Sequence, residues 1–493
     1  MTPLCETVTG RSMAELLAAR DAAVSGDMVE LRLDGVANLD VGRALEGRRV
    51  PAIVTCRAMW EGGHFDGSEE ERRLILATAL DHGAERVDVE FRAIDGLSTG
   101  VPFRDLLSKG PERIVVSSHD FDGVPADLEA RARAMRATGA GTIKIAVSVS
   151  RSSQTLGLKT IAKDGAAVVI GMGELGVASR LLASRFGSAW TYAGDGIAPG
   201  QIPARQMIDD YGFRRVTPST RIFGVVSTNA LHSLSPVMHN AAFEVAGLDA
   251  VYVPLPVHEF GDFLSFAEAM GVEGVSVTIP FKLDALRVAS SSDALTQQVG
   301  AANTLRKTNA GWEATNTDVD GFLQPLGSVM DAPMDGVRVA VLGAGGSARA
   351  VVVALASKGA QVTVHARREE QAQELASSFN VGSGSYPPES GSWDLLVNCT
   401  PLGGAARRSE SPMQADRLTG RLVYDLTYGR GEATLVRDAR SAGLKTLDGL
   451  SMLVAQAERQ FEWWTGQRPA PGVMRGAALR ALGRTTATTE ATA

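Results

Sequence analysis

Along residues 1–212 the apolar positions alternate between a strand-like and a helix-like period. Short runs rich in branched side chains predict strands: "PLCETVT" (3–9), "MVELRLD" (28–34), "VPAIVTCR" (50–57), "ERVDVEF" (85–91), "RIVVSSHD" (113–120), "TIKIAVSV" (142–149), "AAVVIGMG" (166–173) and "SAWTYA" (188–193). Between them lie amphipathic stretches such as "SEEERRLILATALDHG", "ADLEARARAMRATG" and "GELGVASRLLASRFG", which close on glycine as helix ends do.

A strand-then-helix rhythm of this length predicts an α/β fold, an N-terminal (β/α)8 TIM barrel over 1–216 with its site at the C-terminal ends of the strands. The polar stretch "GFRRVTPSTRIFGVVS" (212–227) resets the pattern, and the boundary falls near Val216 to Ser219. A second α/β unit is expected over 217–330, completed by 450–482, and "GVRVAVLGAGGSARAVVVALASKGAQVTVHARR" (336–368) opens a third over 331–449. The tail 483–493, "GRTTATTEATA", is polar and of low complexity, with too little apolar surface to order itself.

Composition narrows the classes. At 493 residues the chain is long for a single core. A net charge of -7 without a basic block argues against a nucleic-acid partner. No apolar run reaches the ~18 residues of a membrane span, and "MTPLCETVTGRS" has no basic segment followed by an apolar one. Cys5, Cys56 and Cys399 lie far apart, which speaks against a zinc site or disulfide framework and for a reducing, cytoplasmic setting. No metal is expected.

Charge collects where the barrel strands end. Glu30, Arg32 and Asp34 share one face of their strand, Arg57 ends the third, Asp88 and Glu90 lie on the fourth, and His119 follows "VVSS" on the fifth. Lys144 stands alone in "GTIKIAVSV", with the small Ala146 and Ser148 on its face. An ammonium in an apolar strand is costly unless it is paired or neutral. A neutral lysine is a nucleophile for carbonyls, and a histidine nearby moves protons at neutral pH.

In this order "ELRLD", "TCRAMWEGG", "SSHDF", "KIAV" and "APGQ" resemble type I 3-dehydroquinate dehydratase, over essentially all of residues 1–212. The resemblance implies Lys144 as the Schiff-base lysine, His119 as general acid/base and Glu61 as the acid that orients it. It implies Glu30, Arg32, Arg57, Arg180 and Gln201 as substrate contacts. One departure is Ile197, which stands where many members carry a hydroxyl four residues before the glutamine.

In the C-terminal half "VLGAGGSARA" ends a predicted strand and opens a helix, so Gly343, Gly345 and Ala348 fit a dinucleotide turn in a Rossmann-like domain, with Ala344, Gly346 and Ser347 between them. The next strand ends on Arg367 and Arg368 rather than on an acidic residue, which favours a 2′-phosphate and hence NADP. Around it "STNALHSLSPVMHN", "GVSVTIPFK", "GAANT", "TNTDVDG" and "LDGLSMLVAQAERQFEWWTG" resemble shikimate dehydrogenase over 221–482. That resemblance implies Lys282 and Asp318 as the catalytic pair, and Ser233, Ser235, Ser276, Thr278, Asn303 and Gln456 around the substrate. It adds Thr400 and Gly449 to the cofactor site. Gly404, where methionine is common, and "YGRGEAT" without the usual proline depart from the family near the nicotinamide.

Together the two halves imply a bifunctional enzyme that makes 3-dehydroshikimate from 3-dehydroquinate and reduces it to shikimate with NADPH. The alternative is a metabolite-sensing regulator built from the same domains. Such a regulator should lack the lysine or the Lys/Asp pair, and this chain retains both.

Overall fold

The computed structural model describes residues 1–96, 100–330 and 333–483. The C-terminal tail expected to be unstructured lies, from residue 484 onward, outside the described residues.

Eight parallel strands build the first sheet: β1 (Leu4–Val8), β2 (Met28–Arg32), β3 (Ala52–Thr55), β4 (Arg86–Glu90), β5 (Ile114–Asp120), β6 (Thr142–Ser148), β7 (Ala167–Met172) and β8 (Thr191–Ala193). Their order is β7-β6-β5-β4-β3-β2-β1-β8, and between β7 and β8 the Ala189 N–H donates to the Ala167 carbonyl at 2.8 Å. Both faces are covered, so the strands read as nearly continuous apolar runs. The barrel interior holds Cys5, Ile53, Val115, Ala146, Val168, Ile170, Met172, Trp190 and Tyr192 as one apolar plug. The valine, isoleucine and methionine side chains among them, fully buried, each contribute roughly 1.5–3 kcal/mol.

The inward parity of β5 and β6 sets the chemistry. Ser117 pairs in register with Lys144, and His119 with Ala146, so lysine and histidine rise from neighbouring strands one step apart. Helix Glu69–Asp81 starts on a capping box between Ser68 and Glu71, which fixes the loop that follows β3. Within that loop Gly62 takes φ 76°, and a Cβ on Gly63 would lie 2.0 Å from the Arg57 carbonyl oxygen. Glycine alone lets the chain fold back there and bring Glu61 inward.

By contact density the first compact unit comprises Met1–Ile222, Asn229–Leu231 and Asp249–Gly271, and the second comprises the remainder. Within the first unit Asp262, on helix Phe260–Met270, accepts hydrogen bonds from the Ser152 N–H at 2.7 Å, the Ser152 hydroxyl at 2.8 Å and the Ser153 N–H at 3.0 Å.

Two sheets follow. β9 (Arg221–Ser227) precedes β10 (Ala250–Pro256), and in the second unit the order β9-β11-β13-β14-β12 includes β11 (Val272–Val277), β12 (Ser291–Ser292), β13 (Thr304–Thr308) and β14 (Gly311–Thr315). The last sheet is parallel throughout: β15 (Arg338–Leu342), β16 (Gln361–His365), β17 (Gly382–Gly384), β18 (Leu395–Asn398), β19 (Leu422–Asp425) and β20 (Lys445–Asp448), in the order β17-β16-β15-β18-β19-β20. Counted from β15 this is the 3-2-1-4-5-6 order of a dinucleotide fold, whose ligand crevice lies where the order reverses, between β15 and β18. Val339, Val341, Leu395 and Val397 pack there against helix Gly346–Ala356.

Candidate active sites

A cavity of about 190 Å³ opens at the C-terminal end of the barrel strands, bounded by Lys144, His119, Glu30, Arg57, Arg180 and Gln201 among others. Lys144 Nζ lies 3.1 Å from Asp88 Oδ2 and 3.4 Å from Glu30 Oε1, and rests 4.4 Å above the centre of the Tyr192 ring. The setting is therefore less apolar than the strand sequence suggests. Two carboxylates from β2 and β4 reach across the barrel to the ammonium, a pairing that periodicity within one strand does not show.

Arg57 carries the network outward. It donates to Asp88 Oδ1 at 2.8 Å, Glu90 Oε1 at 3.0 Å and the Ser117 hydroxyl at 2.8 Å. Burial alone would raise the Asp88 carboxyl, but Arg57 and Lys144 hold it well below the usual carboxylate range. Arg72, fully buried, pairs with Glu90 from the other side. Arg32 is occupied by Asp34 through two bonds of 2.8 Å, while still lining the cavity.

His119 faces Glu61. Its Nδ1 lies 2.9 Å from Glu61 Oε1, and its backbone N–H donates to the same oxygen at 3.0 Å. An oxygen already accepting one N–H accepts the second, so Nδ1 carries the proton and Nε2 is left as an acceptor. Burial, Arg57 and Lys144 keep the imidazolium disfavoured, well below the ordinary histidine value. Burial, helped by Glu90 and Asp88 and opposed by Arg57, pushes Glu61 up to about 8.

Arg180 stands apart. It is 2% exposed, donates only to the Tyr192 and Pro199 carbonyls at 3.4 and 3.3 Å, and among the described residues no carboxylate pairs with it. Burial lowers it to about 10. A buried cation without a counter-ion on a cavity wall suits an anionic ligand. Gln201 folds back onto the Ala198 N–H at 3.0 Å, and Ile197 presents an aliphatic side chain to the same cavity.

In the second unit Lys282 Nζ lies 2.6 Å from Asp318 Oδ2, both side chains nearly buried. Asn303 Nδ2 donates to Asp318 Oδ1 at 2.8 Å and lies 3.4 Å from Gln456 Oε1, which joins two further sequence-predicted residues to the pair. Ser276 donates to Gln460 Oε1 at 2.7 Å. Ser233 accepts from the Ser235 N–H at 3.1 Å, and Thr278 donates through its backbone to Val226. Sequence reasoning missed Gln460, although it follows Gln456 by one turn of helix Gly449–Thr465, and missed Tyr192, whose pairing with Lys144 is visible only in three dimensions.

A second cleft, of about 310 Å³, lies between Lys282 and the turn Ala344–Gly346. Gly343 takes φ 102° at the end of β15, and nothing lies within 4 Å of where a Cβ on Gly345 would stand. The turn is open to a phosphate, and helix Gly346–Ala356 offers its N-terminus there. Ser347 and the buried Ala348 are in its first turn. Arg367 and Arg368 are exposed after β16 and have no carboxylate partner among the described residues. Thr400 folds onto Asn398 at 2.7 Å, and a Cβ on Gly449 would lie 2.2 Å from the Leu426 carbonyl oxygen. These groups fit a dinucleotide with a phosphorylated ribose.

Fold and sites thus define a lysine-bearing barrel joined to a dinucleotide-dependent oxidoreductase. A model of type I 3-dehydroquinase matches residues 4–218, one of the shikimate dehydrogenase substrate binding domain matches 225–305, and one of the shikimate 5′-dehydrogenase C-terminal domain matches 449–479. The bifunctional 3-dehydroquinate dehydratase/shikimate dehydrogenase, chloroplastic, of Arabidopsis thaliana is 31% identical over 503 residues, 95% of this chain and 82% of that protein. The shikimate dehydrogenase (NADP(+)) of Microcystis aeruginosa is 38% identical over 282 residues, 54% of this chain and 98% of that one. Among solved structures, a shikimate dehydrogenase in complex with NADP+ superposes with TM-score 0.50 at 30% identity, over 53% of this chain and 96% of that one. This chain belongs to the bifunctional 3-dehydroquinate dehydratase/shikimate dehydrogenase family.

Proposed function

We propose that Lys144 and His119 dehydrate 3-dehydroquinate in the barrel, residues 1–216, and that Lys282 and Asp318 serve the reduction in the C-terminal unit. There 217–330, completed by 450–482, holds substrate and 331–449 holds NADP. The protein is a shikimate-pathway enzyme with both activities, and its cofactor is NADP. What supports the barrel assignment most is Lys144 itself, a buried amine facing a cavity that also contains an uncharged histidine.

The chemistry follows from residue types. An iminium formed on Lys144 withdraws the charge that develops when the neighbouring carbon loses its proton. His119, its Nδ1 held by Glu61, takes that proton on Nε2 and returns it to the departing hydroxyl. Arg180 receives the substrate carboxylate, with Arg57, Arg32 and Gln201 around the hydroxyls. In the second site NADPH, when bound, supplies a hydride. Lys282 holds a proton at the substrate oxygen, Asp318 orients Lys282, and Asn303, Gln456, Ser233, Ser235, Ser276 and Thr278 surround the ring. Arg367 and Arg368 take the 2′-phosphate.

We place the reaction in the cytoplasm, because all three cysteines are free. Among the described residues no helix is long and apolar enough to cross a membrane, and no group of three His, Cys, Asp or Glu is set to hold a metal. Borohydride added during turnover tests the reading. Substrate should become attached to Lys144, located by mass spectrometry, and label elsewhere or none at all overturns the covalent route. A regulator predicts neither activity.

A further inference from the structure

Schiff-base chemistry needs a proton to leave the lysine and an acid to remove the carbonyl oxygen as water. Among the described residues three groups touch Lys144 Nζ: Asp88, Glu30 and the face of Tyr192. A ring face holds an ammonium but takes no proton. Asp88 is engaged on its other oxygen by Arg57 at 2.8 Å and by the Ser117 hydroxyl at 2.6 Å, so its charge is committed. Glu30 differs. It receives only the hydroxyls of Thr7 at 3.1 Å and Thr55 at 2.8 Å, from β1 and β3, and among the described residues its one ion pair is with Lys144.

We propose that Glu30 is the proton relay of Schiff-base formation, taking a proton from the Lys144 ammonium and giving it back to the carbinolamine hydroxyl. The proposal rests on Lys144 being the nucleophile. In the first step the N–H bond breaks and an O–H bond forms, giving amine and carboxylic acid. The amine lone pair then bonds to the ketone carbon, the C=O π pair moves to oxygen, and a proton passes from nitrogen to that oxygen. Finally Glu30 protonates the hydroxyl, the C–O bond breaks, and the nitrogen lone pair forms C=N. The sum is ammonium plus ketone giving iminium plus water, with Glu30 again a carboxylate.

The surroundings favour this role for Glu30. It is 4% exposed, so no bulk water competes for the proton. Arg32 on its own strand and Arg57 from the third are both engaged by other carboxylates, Asp34 and Asp88 with Glu90. His119 leans on Glu61. Cys5 and Tyr192, the other titratable groups facing Glu30, are held protonated by burial.

Single-turnover borohydride trapping on the full chain, at saturating 3-dehydroquinate, tests the relay. Glu30→Gln should slow iminium trapping by about a hundredfold or more, with a smaller change in substrate affinity and unchanged reduction of added 3-dehydroshikimate. Glu30→Ala should regain rate as formate is added, because a small carboxylic acid enters the space left by the side chain. Trapping at the wild-type rate in Glu30→Gln, or a loss confined to affinity, overturns the relay. So does a loss in both variants that formate does not restore, which would assign Glu30 to holding Lys144 in place. Failure of the wild type to label Lys144 sinks the nucleophile instead, and the two failures are read from different samples.

Discussion

One oxygen of Glu61 holds His119 at two points, the ring Nδ1 at 2.9 Å and the backbone N–H at 3.0 Å. The double contact fixes the ring plane as well as the tautomer, and both consequences are measurable. Glu61→Ala should lower the kcat of dehydration about a hundredfold, while Lys144 still forms its borohydride adduct and reduction continues. A variant that loses the adduct would show that Glu61 shapes the whole site.

The same pair predicts how stability varies with pH. Burial raises Glu61 from its ordinary 4.5 to about 8 and lowers His119 from 6.5. Just below pH 6.5 the folded chain keeps a glutamate proton that the unfolded chain has lost, and lacks a histidine proton that the unfolded chain holds, so the two contributions cancel. From 6.5 to about 8 only the glutamate proton remains, and stability falls as pH rises, by at most about 1.4 kcal/mol per pH unit. Thermal melts at pH 6.5 and 8 check this. Glu61→Gln should remove the fall.

Arg180 should oppose stability in the ligand-free protein. Arg180→Met removes a buried cation that, among the described residues, no carboxylate pairs, so the melting temperature should hold or rise. kcat/KM for dehydration should fall more than about a hundredfold, mostly through KM. A lower melting temperature would mean that its two carbonyl contacts matter more than its charge.

Lys282 and Asp318 are nearly buried together at 2.6 Å. Removing either partner should cost about 3–5 kcal/mol of stability and leave the remaining charge uncompensated. Asp318→Asn, which keeps the shape, should lower shikimate formation by about a hundredfold or more while dehydration proceeds. Paired assays by enone absorbance and NADPH loss separate the steps.

Arg367→Ala should weaken NADP use and leave NAD use almost unchanged, because a phosphate contact is lost and no ribose contact is. Comparing kcat/KM for the two cofactors measures it. Equal losses would give the arginine a role in the fold instead.

A chain cut at Val216 to Ser219 is expected to leave two working enzymes. The fragment 1–217 lacks Asp262 and its three hydrogen bonds to Ser152 and Ser153. It should dehydrate, yet melt below the barrel of the full chain, and Asp262→Ala should reproduce that shift in the intact protein, by about 1–3 kcal/mol.

Much of this was legible in the sequence, and the reason is parity. Within one strand Lys144, Ala146 and Ser148 share a face, so a lysine with room around it can be read from five letters. Partners of Lys144 cannot be read that way. Glu30 and Asp88 reach it from 114 and 56 residues away, and Tyr192 lies under it because β8 returns beside β1, a closure that no local pattern encodes. Asn303 and Gln456 stand in legible motifs, but their meeting at 3.4 Å depends on where helix Gly449–Thr465 packs. Periodicity predicts which face a residue occupies. Only the closed fold decides which residues meet across it.

A Cβ on Gly346 would stand 3.2 Å from Lys282 Cδ, so the lysine lies along the turn where the cofactor's phosphates would land. With substrate and cofactor bound as proposed, one side chain would take part in two binding equilibria. Whatever factor cofactor binding imposes on substrate affinity by shifting Lys282, substrate must impose on cofactor affinity in return. Bulk added at position 346 would push on both equilibria through the same four-carbon stem, and the two dissociation constants would move together.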